Sequence, residues 1–207
     1  SEDTSLVMAC SRVRALAVTP TFVKVAAGGT SLYKHWKTRE GAMYKKLVDA
    51  HSMAVSDLRK RFRKLTTLGL YWDQCEGEFD FNVGTEPMKS YRTNLLAFVG
   101  SLRKDLSQPK LRFFLPKQMF HKVQQAWRPI VESQLELCRR DRNCQLIDID
   151  RGRFSTNMKL WSWTHNWRTL SSRGYAALAD RITTELMLSA RSASKVTDGS
   201  PNTKRPA

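Results

Sequence analysis

The sequence predicts an α/β fold in which an open parallel sheet is flanked by helices on both faces. Strand-length apolar runs alternate with helical patterns through most of the 207 residues, and this alternation is typical of parallel sheets. Polar clusters, Gly28-Gly29-Thr30 and Trp72-Asp73-Gln74, directly follow two of the runs. In such sheets, ligands bind at the carboxyl edge of the strands. The apolar content of 41% is sufficient for a buried core.

Four short apolar runs are predicted as strands. The first follows Pro20, where the missing backbone N–H does no harm, and the third ends at Pro116. The four predicted strands are Phe22–Ala27, Leu68–Trp72, Leu111–Leu115 and Cys144–Ile149.

Four segments with apolar residues at three- and four-residue spacing are predicted as helices. They are Ala42–Lys64, Pro87–Asp105, His121–Arg140 and Ser171–Ala190. The predicted inward stripes are Met43, Leu47, Ala50, Ala54, Leu58 and Phe62 in the first; Tyr91, Leu95, Phe98 and Leu102 in the second; Val123, Trp127, Ile130, Val131 and Leu135 in the third; and Tyr175, Leu178, Ile182 and Leu186 in the last.

Two of these helices carry features that bear on where they begin. Thr85 is expected to cap the second helix through its hydroxyl. Pro129 is expected either to kink the third helix or to mark its true start.

A single domain is expected over residues 1–190, followed by a basic, disordered tail over residues 191–207. The tail consists mostly of Ser, Thr, Lys, Pro and Asn and contains almost nothing apolar. Residues 1–18 are of mixed character and are consistent with one ragged helix. No apolar run approaches the roughly 20 residues that a membrane span needs, so no membrane partner is expected.

The formal net charge of +16 favours anionic partners in general. A solvated basic surface is the simpler interpretation, because the lysines and arginines are spread along the chain and the dense cluster at Arg59–Lys64 suits a helix C-terminus. Only weak, non-specific nucleic-acid binding is therefore expected.

No cofactor and no metal are expected. The sequence has no phosphate loop and no C-x-x-C pair. Cys138 and Cys144 either form a bridge or remain free thiols.

The residues most suggestive of chemistry lie at the predicted strand exits. A Gly28-Gly29 turn can present backbone N–H groups, although such a pair is often only a turn. The Gln74 side-chain amide can donate to an oxyanion. Further along this acidic segment, Glu76, Glu78 and Asp80 can hold sugar hydroxyls or orient a histidine; the alternative is a solvated loop.

His165 lies within Trp161-Ser162-Trp163-Thr164-His165-Asn166-Trp167, just before the last predicted helix. A lone histidine is usually structural, but this position makes a general-base role plausible. Three tryptophans within seven residues favour either a core or a sugar-binding rim.

Together these motifs resemble the carbohydrate O-acetylesterases of the SGNH hydrolase superfamily, which include sialate O-acetylesterase domains and acetylxylan esterases. That family carries G-G-T followed by a Trp, then W-x-Q-G-E-x-D, and a late His before the terminal helix. Gly28-Gly29-Thr30, Trp36, Trp72, Gln74 and His165 match in order and spacing.

The resemblance implies a three-layer SGNH-type fold and a hydrolase that removes acetyl groups from an acetylated carbohydrate. It implies that Gln74 and the N–H of Gly28 or Gly29 belong to the oxyanion hole and that His165 is the catalytic base. It further implies that six residues bind the substrate or orient the groups of the site, namely Thr30, Trp36, Glu76, Glu78, Asp80 and Ser162.

Three departures from the family pattern accompany the resemblance. The G-Q-S-N nucleophile motif is absent, so the chain is expected to be inactive as it stands, either as a fragment that lacks the first strand of the family fold or as a natural inactive member. The W-x-Q-G-E element fits in two registers, one through Glu76 and the other, after a two-residue insertion, through Gly77, Glu78 and Asp80. Ser162 replaces the acid that precedes the family histidine.

The alternative is a non-catalytic binding module for anionic glycan or nucleic acid. It would use the basic surface and the cluster of Trp161, Trp163 and Trp167.

Overall fold

The computed structural model describes residues 21–74, 76–79, 85–116, 124–147, 179–185 and 187. The elements follow one another along the chain as α1 (Ala42–Arg61), β1 (Leu70–Tyr71), a 3₁₀ turn (Glu76–Phe79), α2 (Glu86–Asp105), β2 (Phe113–Pro116), α3 (Gln124–Arg140) and β3 (Cys144–Ile147). Residues 179–185 are helical and are called α4.

The three strands form one parallel sheet in the order β1-β2-β3. Phe113 is in register with both Leu70 and Cys144. Each strand is joined to the next through a helix, as a parallel connection requires. The predicted α/β class with an open parallel sheet is thus confirmed.

Alternate residues of β2 face two different cores. Phe113 and Leu115 pack with α2 and α3, whereas Phe114 packs with Ile147 and Ile182 of α4. The sheet is therefore covered on both faces, as predicted. The predicted stripe of α2 is fully buried, and it comprises Tyr91, Leu95, Phe98 and Leu102.

The predicted first strand, Phe22–Ala27, is wrong. Residues 21–27 have irregular backbone, and Phe22 and Val23 are 39% and 38% exposed. An apolar run forms a strand only when a neighbouring strand pairs with its backbone, and no described residue supplies such a ladder. Only Val25 of this segment packs against the first core.

The predicted stripe of α1 is buried only near the start of the helix, through Tyr44 and Leu47. Met53 is 71% exposed and Phe62 is 41% exposed. The helix ends at Arg61 and not at Lys64, because Phe62 already has extended backbone with φ −127°. The second half of α1 thus packs little against the described core.

Two expectations at the helices are corrected. Thr85 makes no side-chain capping hydrogen bond, because its own backbone is already helical. In the predicted stripe of α3, Val131 and Leu135 are only half-buried. The buried face of this helix is turned by one position, and it comprises Ile130, Ser133, Gln134 and Leu137. Pro129 lies inside the helix and is not its start.

Cys138 and Cys144 are free thiols, so they are not bridged. Burial raises the pKa of Cys138 to about 11 and that of Cys144 to about 12, and the Asp141 carboxylate adds to both shifts. Both thiols are therefore protonated at neutral pH and are poor nucleophiles.

None of the described helices is both long and apolar enough to cross a membrane. The predicted helix over residues 1–18 and the tail over residues 191–207 lie outside the described residues, as do residues 148–149 of the predicted strand Cys144–Ile149. Of the predicted helix Ser171–Ala190, the structure describes residues 179–185 and 187.

The C-terminus of α2 is closed by Ser107, which has a left-handed backbone with φ +55°. Its N–H donates to the carbonyl of Lys104, and Gln108 N–H donates to that of Arg103. Because glycine adopts this conformation without strain, we expect Ser107→Gly to raise the free energy of unfolding by about 1 kcal/mol. Urea denaturation measures the change.

Ser101→Gly is the matched control for Ser107→Gly. Ser101 lies within α2, where glycine lowers stability by about 0.5–1 kcal/mol. If both substitutions changed the free energy of unfolding in the same direction, that result would contradict the strain assigned to Ser107.

Candidate functional site

The Gly28-Gly29-Thr30 turn and the segment that follows β1 meet through partly buried hydrogen bonds. The Gln74 Nε2 amide donates to the Thr30 carbonyl over 3.0 Å and to Glu78 Oε1 over 2.8 Å. Tyr91 of α2 holds the same segment, because its hydroxyl donates to the Gln74 carbonyl. Residues separated by more than forty positions thus form one polar cluster at the carboxyl end of β1.

The turn itself is held by Thr30 and by the left-handed backbone of Gly29, with φ +67°. Thr30 Oγ1 donates to the Ala27 carbonyl over 2.8 Å and accepts from Trp36 Nε1 over 3.0 Å. Gly28 and Gly29 are exposed, and no described residue accepts a hydrogen bond from their N–H groups. In the described part of the structure, both N–H groups of this fixed turn thus remain without an acceptor.

Two buried tryptophans support this arrangement from below. Trp36 and Trp72 meet edge to face at 4.9 Å, and Trp72 packs on Phe98 of α2 at 4.3 Å. Because both indoles are almost fully buried, they position the turn and the exit of β1 and offer little surface to a ligand.

Glu78 is the most deeply buried charged residue of the cluster, with 0% of its surface exposed. Its Oε1 accepts from the backbone N–H of Leu32 as well as from Gln74. Burial raises the pKa of the Glu78 carboxyl above its ordinary value, and the hydrogen bonds from Leu32, Gln74 and Tyr33 offset part of that effect. The carboxyl thus joins the loop after the turn to the segment after β1.

Gly77 packs directly against the turn. A Cβ at this position would lie 2.1 Å from the Thr30 carbonyl oxygen, far inside any allowed contact. Residues from both possible registers of the motif therefore make contacts here. Gln74, which matches in the first register, donates to the Thr30 carbonyl. Gly77 and Glu78, which match in the second, pack against the turn and accept from the loop after it.

Three buried polar atoms of the cluster have no hydrogen-bond partner among the described residues. They are Trp72 Nε1, Gln74 Oε1 and Glu78 Oε2. An unpaired buried polar atom is destabilising by about 1–3 kcal/mol, so native proteins rarely leave one unmatched. The cluster can therefore donate one further hydrogen bond, from Trp72 Nε1, and accept others at Gln74 Oε1 and Glu78 Oε2.

Ser31 is the serine nearest to the turn, and its hydroxyl is engaged in local structure. Ser31 Oγ accepts from the Lys34 N–H over 3.2 Å. The His35 Nδ1 lone pair is taken by the Ser31 N–H at 3.0 Å, with Oγ farther away at 3.4 Å. The pair therefore lacks the free base that activates a nucleophilic serine.

Several predicted site residues cannot be placed relative to this cluster. Asp80, Ser162 and His165, together with the tryptophans around His165, lie outside the described residues, as does the side chain of Glu76. Within the described ranges, no group of three metal-ligating side chains occurs.

The importance of Gly77 and Tyr91 was not apparent from the sequence pattern. The sequence pattern places Tyr91 in the apolar stripe of α2, and its hydroxyl contact depends on how α2 lies beside β1. Gly77 is a match in the second register of the motif. A glycine between two glutamates in an acidic loop was the available signal for a close backbone approach.

Comparison with known families gives one match. A family described as "Carbohydrate esterase, sialic acid-specific acetylesterase" matches residues 9–160, well over half of the chain. The match includes the turn and the segment after β1 and ends before His165. No match is found among curated proteins or solved structures.

Gly77→Ala should lower the free energy of unfolding by about 1–3 kcal/mol, because the added methyl group meets backbone that cannot rotate away. Gly100→Ala is the matched control, since a Cβ there, within α2, meets nothing within 4 Å. That variant should gain about 0.5–1 kcal/mol. Urea denaturation distinguishes the two, and a Gly77 variant as stable as the parent would exclude the close approach.

Glu78→Gln should remove a pH-dependent loss of stability. Because the folded state raises the pKa of Glu78 above 4.5, it holds the proton more tightly than the unfolded chain. The parent should therefore lose stability as the pH rises from about 4.5 through the raised pKa, by at most about 1.4 kcal/mol per pH unit. The variant should not show this loss.

The measurement for Glu78 is urea denaturation at pH values from 4 to 8. Glu40→Gln is the control, since Glu40 is an exposed carboxylate paired with Lys37, and its variant should keep the pH dependence of the parent. An unchanged slope in Glu78→Gln would show that this carboxyl does not hold a proton in the folded state.

Proposed function

We propose that this chain, which belongs to the sialic acid-specific acetylesterase family of carbohydrate esterases, binds the acetyl ester of an acetylated sugar beside β1 but does not hydrolyse it unaided. The observation that carries the binding role is the Gly28-Gly29 turn, which is held by Thr30. Both glycines are exposed, and their N–H groups have no acceptor among the described residues. Such donors stabilise the oxyanion of an acyl-transfer reaction.

Gln74 serves this site mainly by holding the turn in place. Both N–H groups of its amide are directed into the protein, one to Thr30 and one to Glu78. A direct bond from Gln74 to an oxyanion would require release of one of these acceptors. We therefore assign the oxyanion donors to Gly28 and Gly29 and treat Gln74 as the positioning residue.

Glu78 is proposed to orient the catalytic base. Its Oε2 is buried without a partner among the described residues, and a carboxylate in this setting accepts readily from an imidazole N–H. His165 is the base that the family resemblance implies. An imidazole held by Glu78 would fill a role that the family gives to an acid three residues before the histidine, where this chain has Ser162.

The missing component is a nucleophile. The sequence contains no G-Q-S-N motif. The Ser31 hydroxyl accepts from the Lys34 N–H, and the nearby His35 Nδ1 accepts from the Ser31 backbone N–H. Since no activated serine occurs among the described residues, we expect that His165 has no hydroxyl to deprotonate and that no acyl-enzyme forms. Recognition without turnover is the activity that these residues support.

We expect an O-acetylated sialic acid to bind and to remain unhydrolysed. Isothermal titration calorimetry measures binding, and release of acetate, followed by NMR, measures turnover. Gln74→Ala should weaken binding by about tenfold, because the turn loses its anchor at Thr30. Gln145→Ala, the loss of a half-buried amide on β3, should leave binding unchanged.

Hydrolysis of an aryl acetate, abolished by His165→Ala, would contradict the proposed inactivity. Ser31→Ala then separates the two explanations. Loss of activity in that variant would identify Ser31 as the nucleophile, and retained activity would point to another hydroxyl. Absence of binding to the acetylated sugar by the folded parent would contradict the recognition role.

A further inference from the structure

In the described part of the chain, several cations that are separated in the sequence lie at one edge of the sheet. The two connections that lead into β2 and β3 lie side by side, because Phe113 N–H donates to the Asn143 carbonyl. Arg103 also joins them, through an ion pair with Asp141 and hydrogen bonds to the Leu111 carbonyl. Leu70 N–H donates to the Arg112 carbonyl, which places the start of β1 at the same edge.

We call this surface the basic edge and define it by six residues. They come from the ends of α2 and α3 and from the connections that follow, and they are Lys104, Lys110, Arg112, Arg139, Arg140 and Arg142. All except Arg112, which is half-buried, are exposed. A groove of about 570 Å³ lies against this edge, lined by Arg103, Lys104 and Ser107.

The acidic groups of these connections are already engaged. Asp105 accepts from Arg39 and Tyr44, and Asp141 accepts from Arg103 and the Asn143 N–H. Four members of the basic edge form no ion pair with a described residue, namely Lys104, Lys110, Arg139 and Arg142. The edge therefore keeps a positive charge that the described residues do not neutralise.

Favourable interactions of cations with the negative C-terminal ends of the helix dipoles account for only part of this positive charge. Arg103, Lys104, Arg139 and Arg140 lie in the last turns of α2 and α3, where cations are favourable. Lys110, Arg112 and Arg142 lie outside the helices, so helix stability does not require them. A row of cations across adjacent strands is instead suited to a linear polyanion.

We propose that the basic edge is an anchoring site for an acidic carbohydrate polymer, separate from the site beside β1. Arg112 directly precedes β2 and lies beside the start of β1, whereas Gln74 follows the end of β1. The anchor thus lies at the opposite edge of the sheet from the Gly28-Gly29 turn. A polymer held there keeps the protein close to acetylated units without occupying the turn.

A carbohydrate fits this edge better than a nucleic acid. Proteins that bind single-stranded nucleic acids combine charge with aromatic side chains on which bases stack, and the basic edge and its groove contain no aromatic residue. Carboxylated sugars need only the cations. The choice of a carbohydrate rests on the proposed function, whereas the charge of the edge does not.

The test uses the full chain and fluorescein-labelled polysialic acid, with binding followed by anisotropy at several NaCl concentrations. One variant carries Lys104→Gln, Lys110→Gln, Arg139→Gln and Arg142→Gln. The matched control removes the same number of exposed cations from the other dense cluster, through Arg59→Gln, Arg61→Gln, Arg63→Gln and Lys64→Gln. Circular dichroism establishes that both variants are folded.

The parent should bind polysialic acid with an affinity that falls steeply with salt. The basic-edge variant should bind about tenfold or more weakly at low salt and show a shallower salt dependence, while the control changes less than about threefold. Binding of the O-acetylated monosaccharide should be unchanged in both variants, so failure of the anchor and failure of the site beside β1 give different results.

Three results would overturn the proposal. Equal losses in the two variants would show that binding depends on net charge and not on the basic edge. A larger loss in the control would place the anchor at the end of α1. Tighter binding of a duplex oligonucleotide of equal charge at the same salt concentration would make nucleic acid the partner.

Discussion

The buried amide–carboxyl pair of Gln74 and Glu78 is the interaction on which the arrangement beside β1 depends. Its members reach the Thr30 carbonyl and the Leu32 N–H, so they fix the turn and the loop after it to the end of β1. Isolation from water strengthens each of these bonds and makes a missing partner more costly. The exposed glycine N–H groups can stay fixed because the residues beneath them cannot move independently.

Aromatic packing provides the rigid base for this pair. Phe98 of α2 contacts the rings of Trp36, Tyr44, Trp72 and Phe113. Through these contacts one helix position supports the loop after the turn, the start of α1, the end of β1 and the middle strand. The site therefore rests on the hydrophobic core, and a defect at Phe98 would reach it without touching a polar residue.

The parallel topology separates two kinds of chemistry. Every strand begins at one edge of the sheet and ends at the other, so the residues after α2 and α3 gather at the edge opposite Gln74 and Glu78. Helix C-termini favour cations, and this preference, repeated in successive connections, concentrates positive charge there. The buried Glu78 and the Gln74 amide lie where β1 ends, so the two ends of the sheet carry different polar groups.

The sequence by itself determined the fold class, the order of the elements from α1 to β3 and the inward face of α2, because periodicity and alternation are local properties of the chain. It also brought Gly28-Gly29-Thr30, Trp36, Trp72 and Gln74 together as one motif set. Only the tertiary structure decided that Phe22–Ala27 is not a strand, that most of α1 lies outside the core, and that the Gln74 amide points inward. Strand pairing, burial and hydrogen-bond direction depend on partners distant in the sequence. For the same reason, the gathering of scattered cations at one edge was not predicted from their positions along the chain.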